Sequence, residues 1–177
     1  MNLSGKSLSK KVRRIPYMSK FVVVGMLVLG MILTGVACGD DGAQETQGKI
    51  KATWIQAQEI NDTVSIPVDD ITDNKIVHFN MPVEDGDIAF MAYDLNGEIY
   101  VRANVCPPCR SVGFSLDNNT LVCDTCSTKF KASTGEGISG GCVNYPKAAV
   151  SYEVTGDSLM MDGNDLVTAY QETVQRG

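Results

Sequence analysis

The sequence predicts an all-β domain, and three observations support this prediction. Short segments alternate apolar and polar residues or are rich in β-branched and aromatic side chains, as strands are. Turn residues such as those at Leu95-Asn96-Gly97 separate neighbouring segments. No segment carries a sustained apolar stripe at helical spacing. The chain has 177 residues, 44% hydrophobic and 20% charged, which suits one globular domain.

Two hairpins dominate the predicted strand order. Residues 87–94 and 98–103 flank the Asn-Gly turn, and residues 113–116 and 120–122 flank the turn at 117–119. Pro67 interrupts an earlier strand, so the residues that follow it are expected to form a turn or one helical turn. The last apolar segment, residues 166–174, fits a strand or a short helix equally well. Further strands are predicted at 53–55, 63–66, 75–79, 129–131, 149–154 and 158–161.

Residues 1–37 have the basic-then-apolar layout of a secretory signal peptide, and the resemblance of its end to a lipobox implies the lipoprotein type. A basic region with six lysines and arginines precedes an apolar run from Phe21 to Val36, which is shorter than the ~20 residues of a spanning helix. Ala37-Cys38 then resembles the lipobox of bacterial lipoproteins, although Gly35 stands where Leu is usual. The resemblance implies lipidation of Cys38 and a membrane-anchored, extracytoplasmic protein. Ordinary cleavage after Ala37 and an uncleaved anchor are the alternatives.

The residues after the signal are acidic. Residues 38–48 are predicted to be a flexible tether, and residues 49–177 the folded domain. Six of the fifteen lysines and arginines lie in the signal, so nine remain against 21 acidic residues, a net charge of −12. Nucleic acid is therefore not an expected partner. The expected partners are the membrane, through the lipid anchor, and a redox or membrane-complex protein.

Five of the six cysteines lie between residues 104 and 142. Two Cys-x-x-Cys pairs come at the ends of hairpin strands, and a fifth cysteine follows two glycines; these are Cys106, Cys109, Cys123, Cys126 and Cys142. Four thiolates from two loops can hold a zinc ion or an iron–sulfur cluster. Structural disulfides are an alternative, because the outer face of a membrane is oxidising, and thiol–disulfide exchange is another. Cys142 is predicted as a further ligand, a thiol beside the centre or a buried small residue.

No other motif indicates catalysis. The sequence has no Ser–His–Asp set, no recognisable carboxylate pair and no phosphate-binding loop, so hydrolytic or transferase chemistry is not supported. The only histidine, His78, lies in a predicted strand far before the cysteines and is not expected to bind metal. Arg110, Lys129 and Lys131 flank the cysteine loops and could offset thiolate charge. An electron carrier is a better expectation than an enzyme.

The second cysteine loop resembles that of Rieske iron–sulfur domains. Cys123-Asp124-Thr125-Cys126 is followed by Phe130, a Thr-Gly turn, Pro146 and a Tyr-x-Val strand. The resemblance implies a Rieske-like antiparallel β domain with two converging loops. Both ligand histidines of Rieske domains are replaced: Cys126 stands in the place of one, and Cys109 lies one residue beyond the other. Four thiolates would make the site more negative, so its reduction potential is expected in the ferredoxin range.

A second resemblance covers residues 52–161. The stretch VRANVCPPCRSVGFSL, the segment LVCDTCSTKF and the corner TGEGISGGCVNYPKA are similar to FtrD-like membrane iron–sulfur proteins, a family named for a component of bacterial ferrous-iron uptake. The resemblance implies a [2Fe–2S] cluster on Cys106, Cys109, Cys123 and Cys126, electron transfer and a link to iron uptake. A zinc- or disulfide-stabilised, non-redox binding module of a membrane complex is the alternative.

Overall fold

The computed structural model describes residues 48–175, which fold into thirteen strands and two α-helices. The signal peptide, nearly all of the tether and Cys38 lie outside the described residues, and their assignments stay predictions. In chain order the elements are β1 (Ile50–Lys51), β2 (Thr53–Trp54), β3 (Gln58–Ile60), β4 (Thr63–Pro67), α1 (Val68–Asn74), β5 (Ile76–Val83), β6 (Gly86–Leu95), β7 (Glu98–Ala103), β8 (Phe114–Asp117), β9 (Thr120–Cys123), β10 (Lys129–Lys131), β11 (Gly137–Ser139), β12 (Glu153–Thr155), β13 (Ser158–Asp162) and α2 (Gly163–Gln175).

The strands form three sheets, which confirms the all-β prediction. The sheet that carries the cysteine loops has the order β1-β8-β9-β10-β11, the central sheet β2-β5-β6-β7, and the third β12-β13-β4-β3. All pairings are antiparallel except β2 with β5. Within residues 48–175, no helix is both long and apolar enough to cross a membrane.

Both predicted hairpins are confirmed. Strand β6 pairs with β7 around Asn96 and Gly97, whose φ angles of 57° and 87° are those of a tight hairpin turn. Asp94 Oδ1 accepts a hydrogen bond from Gly97 N at 2.6 Å and closes that turn. Strand β8 pairs with β9 around Asn118, which also has a positive φ of 50°. The second hairpin therefore delivers the chain directly to Cys123.

The central sheet is buried on both faces, because alternate residues of a strand point to opposite sides. Phe79 and Phe90 stack at 5.7 Å in one core, which the third sheet and α2 also line. Met91 and Tyr93 belong to the second core, together with Cys106, Cys123, Cys142 and the aromatic rings of β8 and β10. Three of the five cysteines are thus built into a hydrophobic core.

The C-terminal segment is a helix, which settles the choice that the sequence leaves open. Helix α2 buries Leu166, Ala169 and Thr173 at spacings of three and four residues. Asp162 caps its first turn, since its Oδ1 accepts a hydrogen bond from Asn164 N at 2.8 Å. Residues 149–152, predicted as part of a strand, form no strand, and β12 begins only at Glu153.

Candidate metal centre

The first cysteine loop follows β7 and is closed by hydrogen bonds between its ends. Cys106 N donates to Ser111 O at 2.8 Å, with the 3₁₀ helix Pro107–Cys109 between them. The fully buried side chain of Asn104 donates from Nδ2 to Val112 O at 2.8 Å. These bonds fix the two cysteines of the loop relative to each other.

The second cysteine loop follows β9 and closes in a similar way. Ser127 N donates to Cys123 O at 2.9 Å, and Cys123 N donates to Thr128 O at 2.9 Å. Ser127 has a φ of 56°, in the left-handed region that tight turns use. Asp124 N donates to Gly113 O at 2.9 Å, so this loop is also tied to the residues just after the first loop.

The two loops bring four predicted ligands together. The sulfur atoms of Cys106, Cys109, Cys123 and Cys126 all lie within 4.8 Å of one another. The cross-loop distances are 3.9 Å from Cys106 to Cys126 and 3.7 Å from Cys109 to Cys123. Both exceed the ~2.05 Å of a disulfide bond, and all five described cysteines are free thiols. The arrangement is one that can hold a metal centre.

The sulfur spacing bears on which centre fits. A tetrahedral ion with sulfur ligands at about 2.3 Å has sulfurs about 3.8 Å apart, close to the shortest distances here. A two-iron cluster is held by four cysteine thiolates, which these four residues would supply. Cys109 and Cys126 are only partly buried, whereas Cys106 and Cys123 lie in the core. The donor set suits both centres.

Cys142 places a fifth sulfur beside the four. Its sulfur lies 3.7 Å from that of Cys126, and its side chain is buried. Thr128 joins the two cysteines, because its Oγ1 accepts hydrogen bonds from Cys142 N and from the Cys126 thiol, each at 3.2 Å. Cys142 is not one of the four cysteines whose sulfurs all lie within 4.8 Å of one another. Its assignment as a ligand stays a prediction.

Without a metal, the thiols differ in acidity. Burial raises the pKa of Cys106, and its hydrogen bonds with Cys142 and Cys109 act in the same direction. Burial also raises the pKa of Cys109, to about 11. Burial opposes ionisation of Cys126 as well, but hydrogen bonds with Thr128 and with neighbouring thiols together outweigh burial and lower its pKa to about 6. A bound metal would deprotonate all of its thiol ligands.

Lys147 is a buried cation next to the centre that the sequence does not reveal. Its side chain is 1% exposed, and its Nζ donates to Val105 O at 2.7 Å. The ammonium group lies 4.4 Å from the ring centroid of Phe130 and 5.3 Å from that of Phe114. Burial lowers its pKa to about 8, while the thiols, Cys106 first, oppose that shift.

The cations that the sequence does indicate lie on the surface. Arg110, Lys129 and Lys131 are all exposed. Arg102, at the end of β7, is instead buried, and its guanidinium donates three hydrogen bonds of 2.8 Å: to the hydroxyl of Tyr93 and to the carbonyl oxygens of Lys147 and Ser133. The buried cation Arg102 therefore holds in place the backbone of the buried cation Lys147.

His78 is not among the residues whose ligand atoms converge at the cysteine loops. It is 2% exposed, and its ring meets that of Trp54 edge-on with centroids 5.0 Å apart. Burial lowers its pKa to about 4, against the opposing effects of the Asp124 charge and a hydrogen bond with the backbone of Phe114. The imidazole is therefore neutral at neutral pH.

The low pKa of His78 predicts a loss of stability in acid. The unfolded chain binds a proton near pH 6.5, but the folded chain does so only near pH 4, so the free energy of unfolding falls as the pH drops between these values. The full effect is about 3 kcal/mol. Because the chain has one histidine, proton NMR follows it without ambiguity. We expect its titration midpoint near pH 4, and a midpoint near 6.5 would contradict this. A His78→Gln control should lack this part of the pH dependence.

The chain is similar in part to solved structures of known proteins. No curated protein sequence matches it. Among solved structures, it is similar to a chain of the complex of reduced oxygenase and oxidized ferredoxin in carbazole 1,9a-dioxygenase, with a TM-score of 0.48, 17% identity and coverage of 59% of this chain and 95% of that one. It is also similar to a ferredoxin of Sphingomonas yanoikuyae B1, with a TM-score of 0.39, 20% identity and coverage of 46% and 76%.

A family model covers the residues that form the centre. The model described as membrane iron-sulfur containing protein FtrD-like matches residues 71–172, which is more than half of the chain and includes all five described cysteines. The chain therefore belongs to the FtrD-like family of membrane iron–sulfur proteins.

Proposed function

We propose that this protein is an electron carrier with a [2Fe–2S] cluster bound by Cys106, Cys109, Cys123 and Cys126. The observation that carries the proposal is the convergence of these four sulfurs within 4.8 Å in a member of an iron–sulfur family. Such a cluster, when bound, would accept and release one electron. The protein supplies the thiolates, shields Cys106 and Cys123 from water, and leaves Cys109 and Cys126 partly exposed. Electrons would then pass to a partner protein at this exposed edge.

The proposal places the carrier on the outer face of a bacterial membrane. It rests on the basic and apolar segments of residues 1–37 and on the lipobox-like Ala37-Cys38. The net charge of −12 after the signal suits solubility beside a membrane rather than adhesion to anionic lipid. A lipid-modified Cys38 at the mature N-terminus, seen by mass spectrometry, would support this, and an unmodified cysteine there would contradict it. The proposal also includes a link to iron uptake, which rests on the family resemblance alone.

The sulfur spacing favours a second candidate function. Because the closest sulfurs lie near the separation expected around one tetrahedral ion, the centre could instead hold zinc. Zinc has no redox chemistry, so the protein would then be a metal-stabilised binding module of a membrane complex. The two candidates use the same four cysteines, and they differ in whether the centre can be reduced.

A redox titration tests the electron-carrier proposal. Under anaerobic conditions we expect reversible one-electron reduction with a midpoint potential near the ferredoxin value of about −400 mV, because four thiolates favour the ferric state. No pH-dependent change from ligand imidazoles is expected, since the four proposed ligands are cysteines. A potential in the Rieske range, about −150 to +300 mV, would contradict an all-thiolate cluster. A centre that dithionite does not reduce would overturn the electron-carrier function.

A further inference from the structure

Lys147 is a buried charge whose ammonium group forms no ion pair with a carboxylate of residues 48–175. The ammonium group meets the Val105 carbonyl oxygen and the faces of two phenylalanine rings. The ion pairs Lys49–Asp124 and Lys75–Asp94 do not include it. A buried ammonium carries a high desolvation cost, which a hydrogen bond and two ring faces offset only in part.

Lys147 lies beside the first cysteine loop, whose cysteines would supply negative charge to a metal centre. Val105, which accepts its hydrogen bond, directly precedes Cys106. Phe114 and Phe130, which cover the ammonium group, belong to the same core as Cys106 and Cys123. Cys106 and Cys123 would be thiolates when they ligate a metal, so their negative charges would lie in the same core as the rings that cover the ammonium group. A cluster with four thiolates and two sulfides would carry more negative charge than the positive charge of its two ferric ions. Lys147 and such a cluster would therefore have opposite charges.

We infer that Lys147 is the internal countercharge of the cluster and a positioning residue that raises its reduction potential. The inference rests on the proposed electron-carrier function. Reduction adds one electron to the cluster and no atom, so the cluster becomes more negative by one charge. A fixed cation nearby therefore stabilises the reduced form more than the oxidised form. Because Lys147 is only 1% exposed, water and salt screen this effect far less than they screen an exposed lysine.

The test compares two lysine-to-methionine variants of the cluster-loaded protein. Lys147→Met removes the buried charge and keeps a chain of similar length, whereas Lys131→Met removes an exposed charge from β10, next to Phe130. In an anaerobic titration at the wild-type midpoint, the reduced-to-oxidised ratio of Lys147→Met should be at least about tenfold lower, a shift of about 59 mV for one electron. Lys131→Met should change that ratio less than twofold. A wild-type potential in a fully loaded Lys147→Met protein would overturn the inference.

A variant that retains the charge covers the case in which Lys147→Met does not hold the cluster. If Lys147→Arg takes up iron and sulfide and keeps a reduction potential near that of the wild type, the positive charge is what the centre requires, and the inference stands; a loaded Lys147→Arg protein with a clearly lower potential overturns it. If both variants fail to load and the metal-free Lys147→Met protein also unfolds at lower temperature than the metal-free wild type, Lys147 is structural and the inference fails. If the wild type itself binds no iron and sulfide, the proposed function fails, and this shows before any variant is made.

Discussion

Replacing Cys106 or Cys123 by serine should abolish the visible absorbance of the cluster and its iron content. Both sulfurs are buried and belong to the group of four within 4.8 Å. A serine hydroxyl ionises far less readily than a thiol and is a harder ligand, so it holds an iron–sulfur cluster much less well than a thiolate does. Each variant should be colourless after anaerobic reconstitution, as absorption spectra and iron analysis will show.

Cys142→Ser is the matched comparison for these variants. Cys142 is also buried and lies in the same core, so its replacement places a similar buried hydroxyl near the centre. If four cysteines suffice, Cys142→Ser keeps the chromophore; if Cys142 is a ligand, the chromophore is lost or its spectrum changes. A Cys106→Ser or Cys123→Ser protein with full iron and sulfide content would contradict the ligand assignment.

Gly135→Ala should cost about 3 kcal/mol or more of the free energy of unfolding. Gly135 has a φ of 80°, and a Cβ there would overlap the Lys147 carbonyl oxygen and lie 2.8 Å from Arg102 Nη1. Both neighbours are fixed, because Arg102 Nη1 donates to that oxygen and Lys147 N donates to Gly135 O at 2.8 Å. Chemical denaturation of the metal-free protein measures the loss.

Gly97→Ala separates steric overlap from backbone strain. Gly97 has a similar φ of 87°, but a Cβ at this position would meet no atom within 4 Å. It should therefore cost only the strain of a left-handed alanine, about 1 kcal/mol. Equal losses in the two variants would show that the contact of Gly135 with Lys147 and Arg102 does not constrain the fold.

The hairpins and the cysteine positions were predictable from the sequence because their signals are local. The Asn96-Gly97 turn fixes the register of β6 and β7, and the hairpin of β8 and β9 ends at Cys123. The sequence does not distinguish a helix from a strand at α2, because its buried residues include Thr173 and lie among β-branched side chains that also suit a strand. The apolar run at 149–152 resembles a strand, but its backbone joins β7 only through isolated contacts such as that of Val150 N with Val101 O.

The buried cations could not be predicted, because their environment is built from distant parts of the chain. Lys147 lies next to Pro146 in a loop segment, and the sequence gives no sign that its ammonium group reaches Val105, 42 residues earlier. Arg102 sits in a strand where an exposed arginine would be equally ordinary. The resemblance to iron–sulfur families located the thiolates, but only tertiary packing shows which charges face them.

The metal and sulfide content of anaerobically purified protein tests the central claim most directly. The measurement combines an absorption spectrum with iron, zinc and acid-labile sulfide analysis of the full chain. We expect a coloured protein with two irons and two sulfides per chain, as a [2Fe–2S] cluster requires. A colourless protein that holds one zinc ion, or no metal and no free thiols, would contradict the assignment of an iron–sulfur cluster to these four cysteines.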